Sequence, residues 1–354
     1  MRLGFEPFSL PLVEPLGTAN GELTEREGFV VVVEVAGQRG VGEATPLAGW
    51  TESLDQCASA LARVSRFPDP RRALAPRGDE AFAGTPAARH GVALALADAA
   101  ANRDRLPLSR WLGGAGGVEH VPVNATVGDG GVEATVTEAT DAVAEGFDCL
   151  KVKVGARPLE EDVARLRAVR EACPDVELRA DCNGAWDRDT AREAVDALAD
   201  CELAYLEQPL PATDVAGHAD LRAYVAEVGG SVGVALDESL ASTAPEVVVD
   251  AGAADVLVLK PMALGGVDRA RTVALDAIER GVDVVVTTTI DAVYARTATV
   301  HLAASLPTVR ACGLATADLL AADLTADPAP VSAGRIAVPE GKGNVPRSST
   351  SDSA

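Results

Sequence analysis

Beyond about residue 120 the chain alternates between short apolar runs and longer stretches with helical spacing of apolar positions. The runs are residues 121–127, 149–154, 177–181, 204–207, 232–237, 256–260, 283–287 and 309–313. Ala-, Arg- and Glu-rich segments lie between them, for example 159–172, 190–199 and 267–280. Such alternation predicts an α/β fold, a parallel sheet with crossover helices. Eight strands predict a closed β/α barrel. An open doubly wound sheet is the competing arrangement, but no G-x-G-x-x-G follows an early strand.

The first hundred residues follow another pattern. Residues 29–34 (FVVVVE) and 35–42 are bounded by glycines and read as an antiparallel meander. Residues 53–66 are apolar at helical spacing, and 86–102 form an Ala-rich helix with proline in its first turn. The glycine-rich run 112–117 (LGGAGG) lacks G-K-[ST] and reads as a break, with a domain boundary near residue 118. The barrel is expected over 119–319. The tail from 346 to 354 is expected to be disordered.

The residues that end the predicted strands carry the chemistry. They are Lys153, Asp181, Glu207, Asp237, Lys260, Thr287 and Gly313, spaced 23 to 30 residues apart, close to one βα unit each. Groups at that spacing project from the C-terminal strand ends, where barrel active sites lie. Strands two and six of an eight-stranded barrel face each other, so Lys153 and Lys260 confront one another across three carboxylates. Three carboxylates held close need a counter-charge. A hard divalent cation, Mg²⁺ or Mn²⁺, supplies one through oxygen ligands. A lysine beside such a cation can serve as a base, and the cation can stabilise an enediolate formed next to a carboxylate. A single acid at a strand end is more often a cap or a surface residue, and Lys151 with Lys153 could be a solvated pair. The chain, however, has only four lysines, Lys151, Lys153, Lys260 and Lys342, and three fall at two strand ends.

Charge and composition narrow the remaining classes. The net charge is −22 with 47% hydrophobic residues. That disfavours a nucleic-acid binder of the basic kind. No run approaches a membrane span, and the N-terminus lacks a signal pattern, so a cytoplasmic protein is expected. An acid-rich, lysine-poor surface resembles those of salt-adapted proteins and predicts a halophilic source, with stability that rises with salt. The six cysteines form no C-x-x-C pair and read as buried thiols in a reducing compartment. The four histidines form no H-x-H or H-E-x-x-H motif.

Residues 150–154 (LKVKV), 178–186 (LRADCNGAW), 206–210 (LEQPL), 235–240 (ALDESL) and 256–266 (VLVLKPMALGG) resemble the enolase superfamily, muconate-cycloisomerase subgroup. The segments PLAGWTES at 46–53, VTTTIDAVYARTATVHLAASLP from 286 and ACGLATADLLAADL from 311 are similar to the o-succinylbenzoate synthase family of menaquinone biosynthesis. The resemblance implies a (β/α)7β barrel with an α+β capping domain from residues 1–118, completed by residues of about 320–345. It implies a small-molecule carboxylate substrate, 2-succinyl-6-hydroxy-2,4-cyclohexadiene-1-carboxylate, dehydrated in the syn sense. Lys153, the second lysine of K-x-K after Lys151, would take and return the proton. Asp181, Glu207 and Asp237 would hold Mg²⁺, and Lys260 would stabilise the enediolate from the other face.

Asn183 and Glu238, two and one residues beyond ligands, are expected to order the metal shell. Arg179 is expected to contact substrate, or to play a structural hydrogen-bonding part. Thr287, Thr288 and the Gly313 backbone are placed by the resemblance near the succinyl carboxylate. The segment 16–23 (LGTANGEL), with Thr18 and Asn20, occupies the place of a mobile capping loop, or is a polar turn. Two other readings stay open: an N-succinylamino acid racemase or dipeptide epimerase, in which both lysines exchange protons, and a non-catalytic binding protein on an enolase scaffold.

Overall fold

The computed structural model describes residues 2–18, 21–75 and 79–345. The chain opens with a three-stranded antiparallel sheet in the order β1 (Arg2–Thr18), β2 (Gly21–Val35), β3 (Gln38–Ala44). Strand β1 carries Pro7, Pro11 and Pro15 and lies at the sheet edge, where a missing N–H is tolerated. Its register with β2 shifts between Pro11 and Leu16. Those prolines hide this strand from a reading by alternation. Helix α1 (Leu54–Val64) starts at Ser53, whose hydroxyl accepts from Gln56 N while the Gln56 side chain returns the bond. Helix α2 (Pro86–Asp104) packs directly on β3. A Cβ on Gly40 or Gly42 would strike the α2 backbone at Ala95 or Gly91, so glycine is what lets strand and helix approach.

After α3 (Leu108–Trp111) and a short strand β4 (His120–Pro122), the chain enters a parallel sheet. It runs β5 (Ala125–Val127), α4 (Val132–Ala144), β6 (Cys149–Lys153), α5 (Leu159–Ala172), β7 (Glu177–Asp181), α6 (Arg188–Ala197), β8 (Tyr205–Glu207), α7 (Val215–Glu227) and β9 (Gly233–Leu236). Then follow α8 (Pro245–Asp250), β10 (Val256–Leu259), α9 (Pro261–Leu264), α10 (Val267–Glu279), β11 (Asp283–Val286) and α11 (Val293–Ala304). The seven strands β5 to β11 neighbour one another in chain order. Residues 309–313 form no ladder strand. They close the sheet by single bridges on both edges, Cys312 to Val123 and Gly313 to Thr287. The result is the expected (β/α)7β barrel with a separate antiparallel cap.

Side-chain alternation decides what lines the barrel. On β6, Leu150 and Val152 turn outward into the main core under the helices, with Leu166, Leu178, Leu206 and Leu257. Lys151 and Lys153 therefore turn inward. Lower in the barrel Tyr205, Ala235, Val256, Val258 and Val285 form a separate apolar plug.

Two expected features differ. The run 121–127 is not one strand: Val121 pairs antiparallel with Ile336, Val123 makes a single parallel bridge to Cys312, and the ladder with β6 begins at Ala125. Pro122, with no N–H, sits where the two pairings part. The returning C-terminal segment is also divided. Leu320 bridges Leu12 of the cap, whereas β12 (Val331–Ser332) and β13 (Arg335–Ala337) form a small sheet with β4 beside the barrel. Residues 346–354 lie outside the described residues. Among the described residues no helix is long and apolar enough to cross a membrane.

Candidate active site

The inward-facing ends of β6 to β10 converge on one polar cluster. Lys151 Nζ donates to Asp181 Oδ2 at 2.8 Å and to Glu207 Oε1 at 3.0 Å. Lys153 Nζ donates to the same Asp181 oxygen at 2.7 Å and to Asn183 Oδ1 at 2.9 Å. Across the mouth, Lys260 Nζ lies 2.6 Å from Asp237 Oδ1. Parallel register explains the juxtaposition: Lys153 is opposite Asp181, and Asp181 is opposite Glu207. Asp181, Glu207 and Asp237 are all buried, while the Lys153 side chain is 35% exposed and that of Lys260 12%.

Burial penalises every charge here, and the partners decide the outcome. For Asp181, burial is outweighed by Lys151 and Lys153, which hold its carboxyl well below the usual range. For Lys151, burial is outweighed by Asp181 and Glu207, which keep its ammonium well above its ordinary value. Glu207 goes the other way: burial, then the Asp181 charge, push it up to about 7 despite Lys151 at 3.0 Å. Burial likewise raises Asp237 to about 6, with Lys260 opposing and Glu238 adding.

The turns beyond the strands are conformationally unusual. Asn183 and Gln208 have φ of 47° and 42°, in the left-handed region that non-glycine residues rarely adopt. Gln208, which the sequence reading did not single out, accepts from Asp237 N at 3.0 Å and Ser239 N at 3.1 Å. It thereby fixes the backbone that presents Asp237. Its place directly after Glu207 in LEQPL was the available signal. Asn183 bridges Lys153 to Glu238, donating to Glu238 Oε1 at 2.8 Å.

A second residue missed from sequence comes from the cap. Trp50 stands on a turn closed by Trp50 N to Leu47 O (3.0 Å) and Leu47 N to Thr51 Oγ1 (2.8 Å). Its ring centre lies 3.5 Å from Lys260 Nζ. A rare tryptophan in a Pro/Gly turn, one of three in the chain, was the clue.

Other expected residues fall in different places. Arg179 is fully buried below the cluster; its Nε donates to Glu177 Oε1 at 2.6 Å and its Nη1 to Ala311 O at 2.8 Å, and its guanidinium stacks on Tyr205 at 4.9 Å. The structure thus brings it to the barrel interior and not to the lysine–carboxylate cluster, because its own strand carboxylate draws the guanidinium away from the mouth. Thr287 and Gly313 are brought together, Thr287 Oγ1 donating to Gly313 O at 2.8 Å. Thr288 Oγ1 lies 3.0 Å from Thr316 Oγ1. Thr18 ends β1 opposite Gly21, and Asn20 lies outside the described residues. All six cysteines are buried and unpaired.

The donor set suits a hard divalent cation. It is all oxygen, and Glu238 Oε2 is buried with no hydrogen-bond partner. Glu207 and Asp237 are raised as buried carboxylates short of counter-charge are. Among the described residues no three ligand-type side chains already converge on one point. Each of the three carboxylates is turned onto a lysine instead.

A β/α barrel with an antiparallel cap and a lysine–carboxylate mouth defines a class of enzyme folds. Residues 134–344 match the model of the enolase C-terminal domain-like family. The chain belongs to that family, and so to the enolase superfamily. An o-succinylbenzoate synthase of Thermobifida fusca is 45% identical over 214 residues, 59% of this chain and 63% of that protein, so the match spans less than two thirds of the relative's length. A hydrophobic dipeptide epimerase of Enterococcus faecalis is 32% identical over 273 residues, 74% of each chain. The solved L-Ala-D/L-Glu epimerase of Bacillus subtilis, in a substrate-liganded complex, superposes with a TM-score of 0.85 at 26% identity over 97% of both chains. The dipeptide epimerase of E. faecalis complexed with Mg and a dipeptide gives a TM-score of 0.83 at 26% identity, covering 97% of this chain and 98% of that one.

Proposed function

We propose that this chain is an o-succinylbenzoate synthase of menaquinone biosynthesis, dehydrating 2-succinyl-6-hydroxy-2,4-cyclohexadiene-1-carboxylate to 2-succinylbenzoate. The observation that carries the choice is the 45% identity to the T. fusca synthase, higher than the 32% to the E. faecalis epimerase. A cytoplasmic setting belongs to the same reading and is supported by six unpaired buried thiols.

The two lysines have unlike surroundings, which suits a reaction with one proton shuttle. Lys153 is the more open, whereas Lys260 lies against the Trp50 ring. As a neutral amine it takes the proton from the carbon next to the ring carboxylate. The C–H electrons move into an enediolate. Lys153, now an ammonium, gives the same proton to the departing hydroxyl on the same face. The C–O bond breaks, water leaves and the ring becomes aromatic. Asp181, Glu207 and Asp237 would hold Mg²⁺ or Mn²⁺, with Asn183 and Glu238 ordering them. When bound, the cation supplies charge stabilisation for the enediolate. Lys260, fixed between Asp237 and Trp50, offers positive charge on the opposite side.

A second reading, epimerisation or racemisation of an N-acylated amino acid or dipeptide, is favoured by the 97% structural coverage of the B. subtilis epimerase. The two are separated by assay. The purified chain with Mg²⁺ should dehydrate the cyclohexadiene and lose that activity with chelator. Rapid α-deuterium exchange with inversion of an N-succinyl amino acid in D₂O, beside negligible dehydration, would install the second reading.

A further inference from the structure

Between the barrel mouth and the cap lies a backbone turn whose conformation its own residue disfavours. Ile290, three residues beyond Thr287, has φ 59°. A β-branched residue in the left-handed region is strained whatever space surrounds it. The turn holds because the cap grips it from several sides. Arg26 of β2, 2% exposed, donates from Nε to Ile290 O at 3.2 Å. The same guanidinium is tied to Pro46 O at 3.1 Å and Thr45 O at 2.9 Å, at the end of β3. Glu43 of β3 accepts from Ala292 N at 2.8 Å and Ala295 N at 2.9 Å, at the first turn of α11. The Ile290 side chain packs into a small apolar cluster with Leu10, Leu12 and Leu320. On the barrel side, Ile290 N donates to Thr288 Oγ1 at 3.3 Å.

We propose that Arg26 and Ile290 are a positioning pair for the substrate. Arg26 holds Ile290 in the left-handed turn, and the turn sets where Thr287 and Thr288 stand at the mouth. The cap thereby tunes substrate fit through a residue pair that touches no substrate. The strain has a function in this arrangement: a relaxed Ile290 would swing its carbonyl off Arg26 and carry Thr288 with it. The inference rests on the reading that Thr287 and Thr288 face the substrate.

Two comparisons test it in the full chain with Mg²⁺. Ile290→Ala and Ile290→Gly both remove the packed side chain, but only glycine accepts the positive φ freely. Ile290→Gly should therefore show a KM lower than Ile290→Ala by about threefold or more, with kcat within about twofold. If packing alone matters, the two KM values will coincide or glycine will be worse, and the inference fails. The second comparison is a cycle. Arg26→Lys should raise KM by about threefold to tenfold. It should do so less in the Ile290→Gly background, where no strained carbonyl needs holding. A lowered melting temperature with unchanged KM would mark Arg26 as merely structural and overturn the proposal. Should the wild-type chain show only α-proton exchange, the proposed reaction fails while the same KM comparisons, made in that exchange assay, still decide this inference.

Discussion

Lys260 Nζ sits 3.5 Å from the centre of the Trp50 ring, so a barrel lysine is covered by an indole that the cap supplies. Asp237 faces the same ammonium at 2.6 Å. Both neighbours attract positive charge, and together they fix the direction of a long, otherwise free side chain. Trp50→Ala should lower kcat/KM by about fivefold to thirtyfold, matching a cation–π contact of about 1–2 kcal/mol. Trp50→Phe should recover part of it. Steady-state kinetics on both variants is the check, and full activity in Trp50→Ala would show that Lys260 needs no cover.

Gly313 bridges Thr287 just beyond the end of β11 and so helps to close the barrel. A Cβ there would lie 2.5 Å from Thr287 Oγ1 and 3.0 Å from Thr287 Cβ. Gly313→Ala should therefore push the Thr287 hydroxyl off the Gly313 carbonyl and destabilise by about 1–3 kcal/mol. Adding Thr287→Ala should return part of that stability by clearing the closest atom. Urea titrations of the single and double variants decide; strict additivity would mean that the two positions do not collide.

The parts of this site legible in the sequence were those governed by period and spacing. Alternation on β6 made Lys151 and Lys153 co-facial, and repeats of about one βα unit brought Asp181, Glu207, Asp237 and Lys260 to one barrel end. Helix α5 was likewise readable to its last residue, because a charged, amphipathic segment between two strands has few alternatives. What escaped depends on long-range contact. Trp50 reaches Lys260 across 210 positions, and nothing local in GWTES says where its ring will rest. Arg179 has the right strand face for the mouth, but Glu177 two residues earlier captures its guanidinium inside the barrel. Strand β1 was lost to its prolines, whose edge position only the sheet order shows.

Glu43 gives stability a pH dependence whose sign can be worked out. Complete burial, and then the nearby Asp291 charge, raise its carboxyl from an ordinary 4.5 to about 7. Between those values the folded chain binds a proton that the unfolded chain has released. Stability is therefore fully present below the ordinary carboxylate value and falls as pH rises through about 7. The loss attributable to this group is on the order of 3 kcal/mol. Urea midpoints between pH 5 and 8 should decline for the wild-type chain and decline less for Glu43→Gln. Equal slopes in the two would remove Glu43 as the cause.

The two lysines give the sharpest separation of mechanism from scaffold. Lys153 is bound to Asp181 and Asn183 yet open to the mouth; Lys260 is closed in by Asp237 and Trp50. If Lys153 alone moves the proton, it acts twice in one dehydration. Lys153→Ala should then cost at least the roughly 10²–10⁴-fold typical of a general base. Lys153→Arg should not rescue, since a guanidinium does not give up its proton at any useful pH. Lys260 is asked only for charge, which arginine retains, although its planar head must fit between the Asp237 carboxylate and the indole face. Lys260→Arg should therefore keep more dehydration activity than Lys153→Arg. In a racemase both lysines must exchange protons, and both arginine variants should be dead in epimerisation. Measuring the two variants with the cyclohexadiene and with an N-succinyl amino acid in D₂O distinguishes the cases. Equal and complete loss in both variants on both substrates would mean that Lys260 moves a proton too, and the one-base dehydration would have to be abandoned.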